Sequence, residues 1–575
     1  MRRLAQERPW LTSLLLLALA ILVVLAGWLV VAIVPDDPMA LRESGELRNR
    51  LLAVYTRLTA RPTQTADLAP IAHTDGPSVG VNTFLEQEVE EAKLRRTLAL
   101  ARDAGIGWIR QEFPWDDIEI HGKGDFQDRR TSPPKSAWDK YDRIVNLSNE
   151  YGLRIVARLD TVPAWARPPG STFTHPPTNL DDYGDFVAAV VSRYRGRIRY
   201  YQIWNEPNLA FEWGNQDVNA AAYARLLQVA YTRAKAADPD CVIIAGALAP
   251  TIDPGPHNRS DVLFLEEMYR DGAAGYFDVL STMAYGLRSG PDDRRIAYKD
   301  VNFSRPILLR EIMVRHGDAA KPIWLSEMGW NALPPGFPET PRYGRVSEAQ
   351  QARYTVRGLQ RIQEEWPWVG VTFLWYLRQP GNWQASQQEY YFRLVDPDFT
   401  LRPVYEAVKT YATRPPVLAP GYQPASQWAI QTQGAWRSLP DAHADFGSYR
   451  LGEAGAALSF AFHGTDLDLV VGDGRPGVLQ VAIDGSAAGV SLPRDAADRA
   501  VLALGSAGGS GAGRFSLAQG LPDGEHNVTI TVVDGMVAIS GFIVQRTPGF
   551  PAGLLWTGVG VAMVWAVLWR LVGRE

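Results

Sequence analysis

From residue 78 to residue 413, short apolar runs alternate with longer stretches in which apolar residues recur every three or four positions. The runs 79–82, 108–111, 154–159, 200–204, 242–245, 279–283, 323–326 and 369–375 predict strands buried on both faces. The stretches 88–104, 138–151, 181–194, 219–237, 347–364 and 403–411 predict helices between or after them. Eight strands alternating with helices over this length predict an α/β fold, the (β/α)8 or TIM barrel. A doubly wound open sheet, the competing arrangement, wants a Gly-rich phosphate turn after an early strand. The first strand runs instead into Asn82-Thr83-Phe84-Leu85.

Past residue 424 the pattern changes to short alternating runs, 467–471, 478–483, 526–532 and 537–544, with turn signals at Asp484-Gly485 and Asp534-Gly535. This predicts an all-β sandwich over 424–547, similar to a carbohydrate-binding module, with 505–513 as a loop on it. Sugar binding and service as a rigid spacer are both open as its role. The stretch Gly472-Asp473-Gly474-Arg475-Pro476-Gly477 fits G-x-G-x-x-G, but a strand follows it where a nucleotide site needs a helix.

The two ends carry uncharged apolar stretches, 10–34 and 550–569, each long enough for a bilayer. Arg2, Arg3 and Arg8 precede the first, and Arg570 and Arg574 follow the second, so both termini are expected in the cytoplasm. A cleaved signal peptide competes for the first stretch, which is longer than a usual h-region and lacks a clear small-x-small site. The expected layout is a cytoplasmic N-terminus and transmembrane anchor (1–34), a juxtamembrane helix and linker (35–77), the barrel (78–413), the sandwich (424–547) and a second transmembrane helix (550–569). The fold class is thus a TIM barrel followed by a β-sandwich, flanked by two transmembrane helices. The expected location is the cell membrane, with two spans and the large domain extracytoplasmic. Within 41–58, Leu47, Leu51, Val54 and Leu58 fall at near-helical spacing, predicting an amphipathic helix that lies on lipid or packs on the large domain.

At 575 residues with 46% hydrophobic and 21% charged residues, the chain is globular and too long for one ordinary domain. A net charge of -5 without a basic excess argues against nucleic acid as the main partner, leaving a carbohydrate substrate and the membrane as expected partners. The one cysteine, Cys241, excludes an intramolecular disulfide and argues against a zinc site; at the start of a predicted strand it reads as a small buried hydrophobe. No metal and no cofactor is expected.

Two glutamates carry the candidate chemistry: Glu206 in Trp204-Asn205-Glu206-Pro207-Asn208 and Glu327 in Trp324-Leu325-Ser326-Glu327-Met328-Gly329-Trp330. Each ends an apolar run where a polar loop begins, which is where a β/α barrel keeps its catalytic groups. A carboxyl pair can hydrolyse or transfer a glycosidic bond. On these residues, region 78–413 resembles the retaining glycoside hydrolases of clan A, most like families 39 and 5, whose fourth strand ends in Asn-Glu and whose seventh carries the second Glu. The resemblance implies that Glu206 is the acid/base, Glu327 the nucleophile and Asn205 a contact to the sugar 2-hydroxyl. It also implies that Arg110 in Trp108-Ile109-Arg110-Gln111-Glu112 supports the nucleophile, that Tyr285 stands near it, and that Trp375 is an aromatic floor under the sugar.

One motif departs from that pattern. Members commonly have His-x-Tyr after the sixth strand, whereas this chain reads Met283-Ala284-Tyr285-Gly286. Methionine cannot donate the hydrogen bond a histidine would, and three readings stay open, a different sugar at the cleaved bond, a shifted sixth strand or a weakened enzyme, of which the different sugar is favoured. Trp165, Trp213, Trp330 and Trp383 are candidate sugar platforms, and Asp160 either lines the cleft or packs within its loop. Glu112, Asp116 and Asp117 match no metal-ligand spacing and predict a solvated loop. The expected function is a membrane-anchored extracytoplasmic glycosidase using a two-glutamate double displacement on a poly- or oligosaccharide. A glycan-binding scaffold on an inactive barrel and a transglycosylase in exopolysaccharide processing remain as alternatives.

Overall fold

The computed structural model describes residues 18, 43 and 45–547, apart from 382, 473, 488 and 506–512. Eight parallel strands form its first sheet: β1 (Val79–Thr83), β2 (Trp108–Glu112), β3 (Arg154–Leu159), β4 (Tyr200–Asn205), β5 (Val242–Ala247), β6 (Leu280–Tyr285), β7 (Ile323–Gly329) and β8 (Val369–Leu374). Their order is β5-β4-β3-β2-β1-β8-β7-β6, and backbone bridges Ile244 to Val279 and Leu248 to Thr282 join the two ends, closing the barrel. β4, β5 and β7 are buried at every position, one face against helices and the other inside the barrel, so their sequences are nearly continuously apolar.

The barrel interior has two layers. Trp108, Tyr200, Ile244, Trp324 and Phe373 belong to an inner apolar cluster separate from the helix-facing core. Gly80 leaves the room that Phe373 fills, since a Cβ there would lie 2.5 Å from its ring. Two residues further along the same inward faces the chain turns polar, with Asn82 after Gly80, Arg110 after Trp108 and Gln202 after Tyr200. The apolar floor thus supports a polar layer at the C-terminal mouth.

The helix before the barrel spans Glu46–Thr59 and docks on the barrel helix Glu348–Glu365 through polar groups. Glu46 is buried, accepting from the Tyr354 hydroxyl at 2.6 Å and from Gln350 Nε2 at 3.2 Å. Of the stripe read from the sequence, Leu47, Leu51 and Leu58 are exposed and Val54 is half-buried, so most of it is turned away from the barrel.

A second core, with Leu458, Phe462, Leu469, Leu479, Ile530 and Phe542 in it, belongs to the β-rich region. Its centre is one strand, Gly524–Gln545. The first half pairs with Ala457–Gly464 and Gly477–Ile483, and the second with Ser448–Glu453, Asp466–Val471 and Gly421–Pro424. The turn expected at Asp534-Gly535 is therefore a bend carrying one strand from layer to layer, and not a hairpin. Gly535 has φ +71° and no room for a Cβ against the Pro476 carbonyl. Asp484 and Gly485, at φ +52° and +74°, do form a tight turn. Most of the loop expected at 505–513 lies outside the described residues.

Among the described residues no helix is long and apolar enough to cross a membrane. The longest, Ala220–Ala237 and Glu348–Glu365, have 18 residues each and carry charges along their length, such as Arg225, Arg233 and Lys235 on the first and Arg353, Arg357 and Arg361 on the second. Charged side chains at mid-helix oppose transfer into hydrocarbon. The expectations of two transmembrane helices, of a two-span location and of the membrane as partner are corrected accordingly. The stretches 10–34 and 550–569 that prompted them lie, apart from residue 18, outside the described residues.

Candidate active site

Two breaks in strand alternation aim the carboxyls. Along β4, Tyr200 and Gln202 face inward while Tyr201 and Ile203 face the helices, and Trp204 then also joins the helix-facing core. Trp204 has φ +71° and Glu206 φ +41°, conformations that side chains other than Gly keep only where their surroundings impose them. Here the Trp204 indole donates to the Glu212 carbonyl at 2.9 Å and packs edge-on to Trp213, while the Glu206 amide donates to the Ala247 carbonyl at 3.0 Å. Asn205 is thereby returned to the interior.

On β7 the device is a bulge. Thr282 pairs with Leu325, but Met283 pairs with Glu327, leaving Ser326 as an extra residue, and the register against β8 shifts at the same place. Strict alternation would put Glu327 on the outward face of Leu325. The bulge turns it inward.

Arg110 joins these elements. It is 3% exposed and donates to Gln202 Oε1, Asn82 Oδ1 and Asn205 Oδ1, each at 2.8 Å, and to Glu327 Oε1 at 3.2 Å. A buried guanidinium needs this full set of acceptors to repay its desolvation. The Tyr285 hydroxyl donates to the other oxygen, Glu327 Oε2, at 2.6 Å. Gln202 Nε2 donates to the Trp204 carbonyl at 2.8 Å, so one glutamine ties Arg110 to the strained end of β4.

The two carboxyls differ in their surroundings. Burial first, then the charges of Glu327 and Glu212, hold Glu206 well above the ordinary carboxyl range. Burial also raises Glu327, but Arg110 and the Tyr285 hydroxyl pull against that rise, whereas Glu206 is opposed only by the more distant charges of Arg110 and Arg158. Of the two carboxyls, Glu206 is the one held further toward its protonated form, and Glu327 the one whose charged form is hydrogen-bonded. Burial and the Glu327 charge push Tyr285 well above its usual value, keeping its hydroxyl a donor.

More acids line the β1–β4 side. Arg158 bridges Glu112 at 2.7 Å and Asp160 at 2.8 Å, and burial holds the Asp160 carboxyl well above its ordinary range. Burial pushes Glu212 up to about 7, and Asn205 Nδ2 donates to it at 3.4 Å. Burial and the Glu112 charge push Glu86 up to about 7. The loop after β2 is not the solvated one expected. Asp117 pairs with Lys140 and Arg130 and accepts from the Tyr141 hydroxyl, each at 2.6 Å, and Asp116 accepts from Thr161 at 2.9 Å. Among the described residues no group of His, Cys, Asp and Glu is arranged to hold a metal ion.

The candidate aromatic platforms separate into two kinds. Trp375 follows β8, half-buried, with its ring edge-on to Phe84 at 5.9 Å and tilted against Trp383 at 5.7 Å, and both indoles keep open surface beside the cleft. Trp165 is half-buried, but its indole donates to the Glu119 carbonyl at 2.8 Å and meets Trp115 edge-on. Trp213 and Trp330, at 2% and 1% exposure, are enclosed in the helix-facing core and offer no face to a sugar. Met283 is buried and lies beside Glu327 in the β6–β7 ladder.

Asn82, Gln202, Arg158 and Glu212 were not singled out in the sequence. Asn82 and Gln202 do leave a period-2 signal, a polar residue inserted at an inward position of an otherwise apolar strand. Arg158, two residues after inward-facing Val156 on β3, leaves the same signal; Glu212 leaves none, because only the fold brings its loop to Glu206.

No family model matches this chain. Over 136 residues it is 26% identical to a chloroplastic beta-glucosidase-like protein of rice, Oryza sativa, a match covering 22% of this chain and 20% of that protein. The match thus spans about a fifth of that relative's length. In structure the chain is similar to a family 39 glycoside hydrolase from Bacteroides cellulosilyticus, with TM-score 0.45, 18% identity and coverage of 80% and 81% of the two chains. It is also similar to a monomeric beta-xylosidase from Caulobacter crescentus (TM-score 0.41, 16% identity, coverage 82% and 98%). A family 39 enzyme from Xanthomonas axonopodis gives a TM-score of 0.42 at 14% identity, with coverage of 83% and 96%.

Proposed function

We propose that this protein is a retaining glycoside hydrolase in which Glu327 is the nucleophile and Glu206 the acid/base. The observation that carries the proposal is the asymmetry of the carboxyl pair at the barrel mouth. Glu327 receives hydrogen bonds from Arg110 and Tyr285, while burial and the charge of Glu327 keep the proton on Glu206.

The steps follow from that asymmetry. Glu206 gives its proton to the leaving-group oxygen as a Glu327 oxygen bonds the anomeric carbon and the glycosidic bond breaks. Bonding to the sugar removes the Glu327 charge, which was one of the influences raising Glu206. Glu206, now ionised, takes a proton from a water that attacks the anomeric carbon and releases Glu327 as a carboxylate. Arg110 and Tyr285 stabilise that carboxylate at the start and at the end. A sugar hydroxyl in place of the water would give transfer by the same chemistry. The half-open faces of Trp375 and Trp383 suit the apolar face of a sugar ring. The buried thioether of Met283 beside Glu327 supports a sugar with no hydrogen-bond acceptor at that point.

Glu206→Gln tests the assignment. It is expected to lose on the order of 10²- to 10⁴-fold in rate on glycosides with poor leaving groups, and much less on activated aryl glycosides whose leaving groups need no proton. Unchanged turnover on both would remove Glu206 from its role.

A further inference from the structure

Among the described residues of the barrel, the exposed large aromatic side chains are Phe173, Phe211 and Tyr298, at 52%, 55% and 39% exposure. They are not scattered over the helical wall. All three lie on loops that follow β3, β4 and β6, on the face that holds Glu206 and Glu327. Burying a phenylalanine is worth about 1.5–3 kcal/mol relative to leaving it in water, so exposed rings at the rim of a cleft point to a ligand.

Phe173 and Phe211 are mounted on braced loops that touch. The Thr174 hydroxyl donates to the Phe211 carbonyl at 2.7 Å. Gly214, at φ +76°, closes on His175 so tightly that a Cβ would lie 2.7 Å from that ring. The turn carrying Phe211, Ala210–Trp213, is pinned beneath by the enclosed Trp213 and laterally by Asn258, whose Oδ1 accepts from the Ala210 amide at 3.0 Å. A rigid mount and an open ring together make a binding surface, since little ordering is needed when a ligand lands.

The chemistry says which end of a glycan lands there. A general acid stands beside the leaving-group oxygen, and the turn with Phe211 follows Glu206 directly, with the Leu209 amide donating to the Glu206 carbonyl at 2.9 Å. Tyr285 and Trp375 stand on other strands, β6 and after β8, beside Glu327. We propose that Phe173 and Phe211 form a subsite for sugar units on the leaving-group side, so that the substrate is a glycan chain continuing past the cleaved bond. This rests on Glu206 being the acid of the proposed glycosidase.

The test compares the parent with Phe173→Ser, Phe211→Ser and the double variant. The probes are the glycosyl fluorides and the disaccharides and hexasaccharides of the β-linked xylo-, gluco- and manno- series. Both side chains are exposed, so the variants are expected to keep the parent's Tm. The parent is expected to prefer a hexasaccharide to its disaccharide, and the double variant to lose roughly 5- to 100-fold in kcat/KM on it, mostly through KM, while turnover of the glycosyl fluorides, whose one-atom leaving group reaches neither ring, changes less than about twofold. A double variant that handles hexasaccharides as the parent does, or a parent that gains nothing from chain length, overturns the subsite. A parent that cleaves no probe defeats the glycosidase reading separately. Calorimetric binding of the hexasaccharides then judges the subsite alone: binding lost in the double variant supports it, while equal binding or none to the parent overturns it.

Discussion

Replacing Tyr285 with phenylalanine removes one oxygen and leaves the ring in place against Phe392, whose centroid is 5.6 Å away. The lost group is the donor to Glu327 Oε2 at 2.6 Å, while the bond from Arg110 to Oε1 remains. A hydrogen bond to an ionised group is worth about 1.5–3 kcal/mol. That loss falls on the ionised form of Glu327, so its affinity for a proton rises and the acidic limb of the kcat/KM profile moves to higher pH. On that limb the variant is expected to trail the parent by roughly 10- to 150-fold, since 1.36 kcal/mol is a factor of ten. At higher pH, where both enzymes hold Glu327 ionised, the gap narrows. The assay is initial rate against pH on an activated aryl glycoside, for which protonation of the leaving group matters least. Superimposable limbs, or a limb displaced toward lower pH, would refute the role given to Tyr285.

Glu206→Gln should also stabilise the fold, and more so as pH rises. The folded protein holds the Glu206 proton far above the carboxyl value of 4.5, so the associated stability is complete below that value and lost as pH climbs toward the raised folded one. The Tm advantage of the variant over the parent is therefore expected to widen from mildly acidic to alkaline buffer, and a constant gap would contradict the burial argument. Gln202→Leu leaves Arg110 Nε and the Trp204 carbonyl without partners, at a cost of about 1–3 kcal/mol each in denaturant unfolding. Unfolding that matches the parent would show those bonds to be dispensable. Cys241 is buried, and burial pushes its thiol up to about 11, so aromatic disulfide reagents near pH 8 should modify it only as fast as the protein unfolds.

The eight barrel strands were legible because each is a short apolar run, and no observed strand differs from its run by more than three residues at an end. The carboxyls at the strand ends were legible for the same reason: apolar core gives way to polar mouth there. What alternation cannot show is its own interruption. Ser326 reads like any other strand residue, and only the ladder reveals it as the extra one that turns Glu327 inward. The left-handed Trp204 is likewise invisible in a stretch that looks like plain strand. Trp213 and Trp330 were drawn toward the cleft by their positions after β4 and β7, yet a tryptophan in such a loop can fold back beneath it, as both do. The strand Gly524–Gln545 was read as two because Asp-Gly is a common hairpin signal, but its halves find partners in different layers. The stripe on Glu46–Thr59 does mark a helix that packs on the barrel, one of its two readings, but the helix docks by Glu46 and Thr56 and leaves Leu47, Leu51 and Leu58 exposed.

The central claim is that Glu327 attacks the sugar while Glu206 manages the proton. A 2-fluoro glycoside with an activated leaving group slows the second step more than the first, so the glycosyl-enzyme accumulates and can be found by mass after proteolysis. The account predicts one added 2-fluoroglycosyl group, on the peptide holding Glu327, and none after Glu327→Gln. A label on any other residue, or rapid turnover of the reagent with inversion at the anomeric carbon, would contradict it.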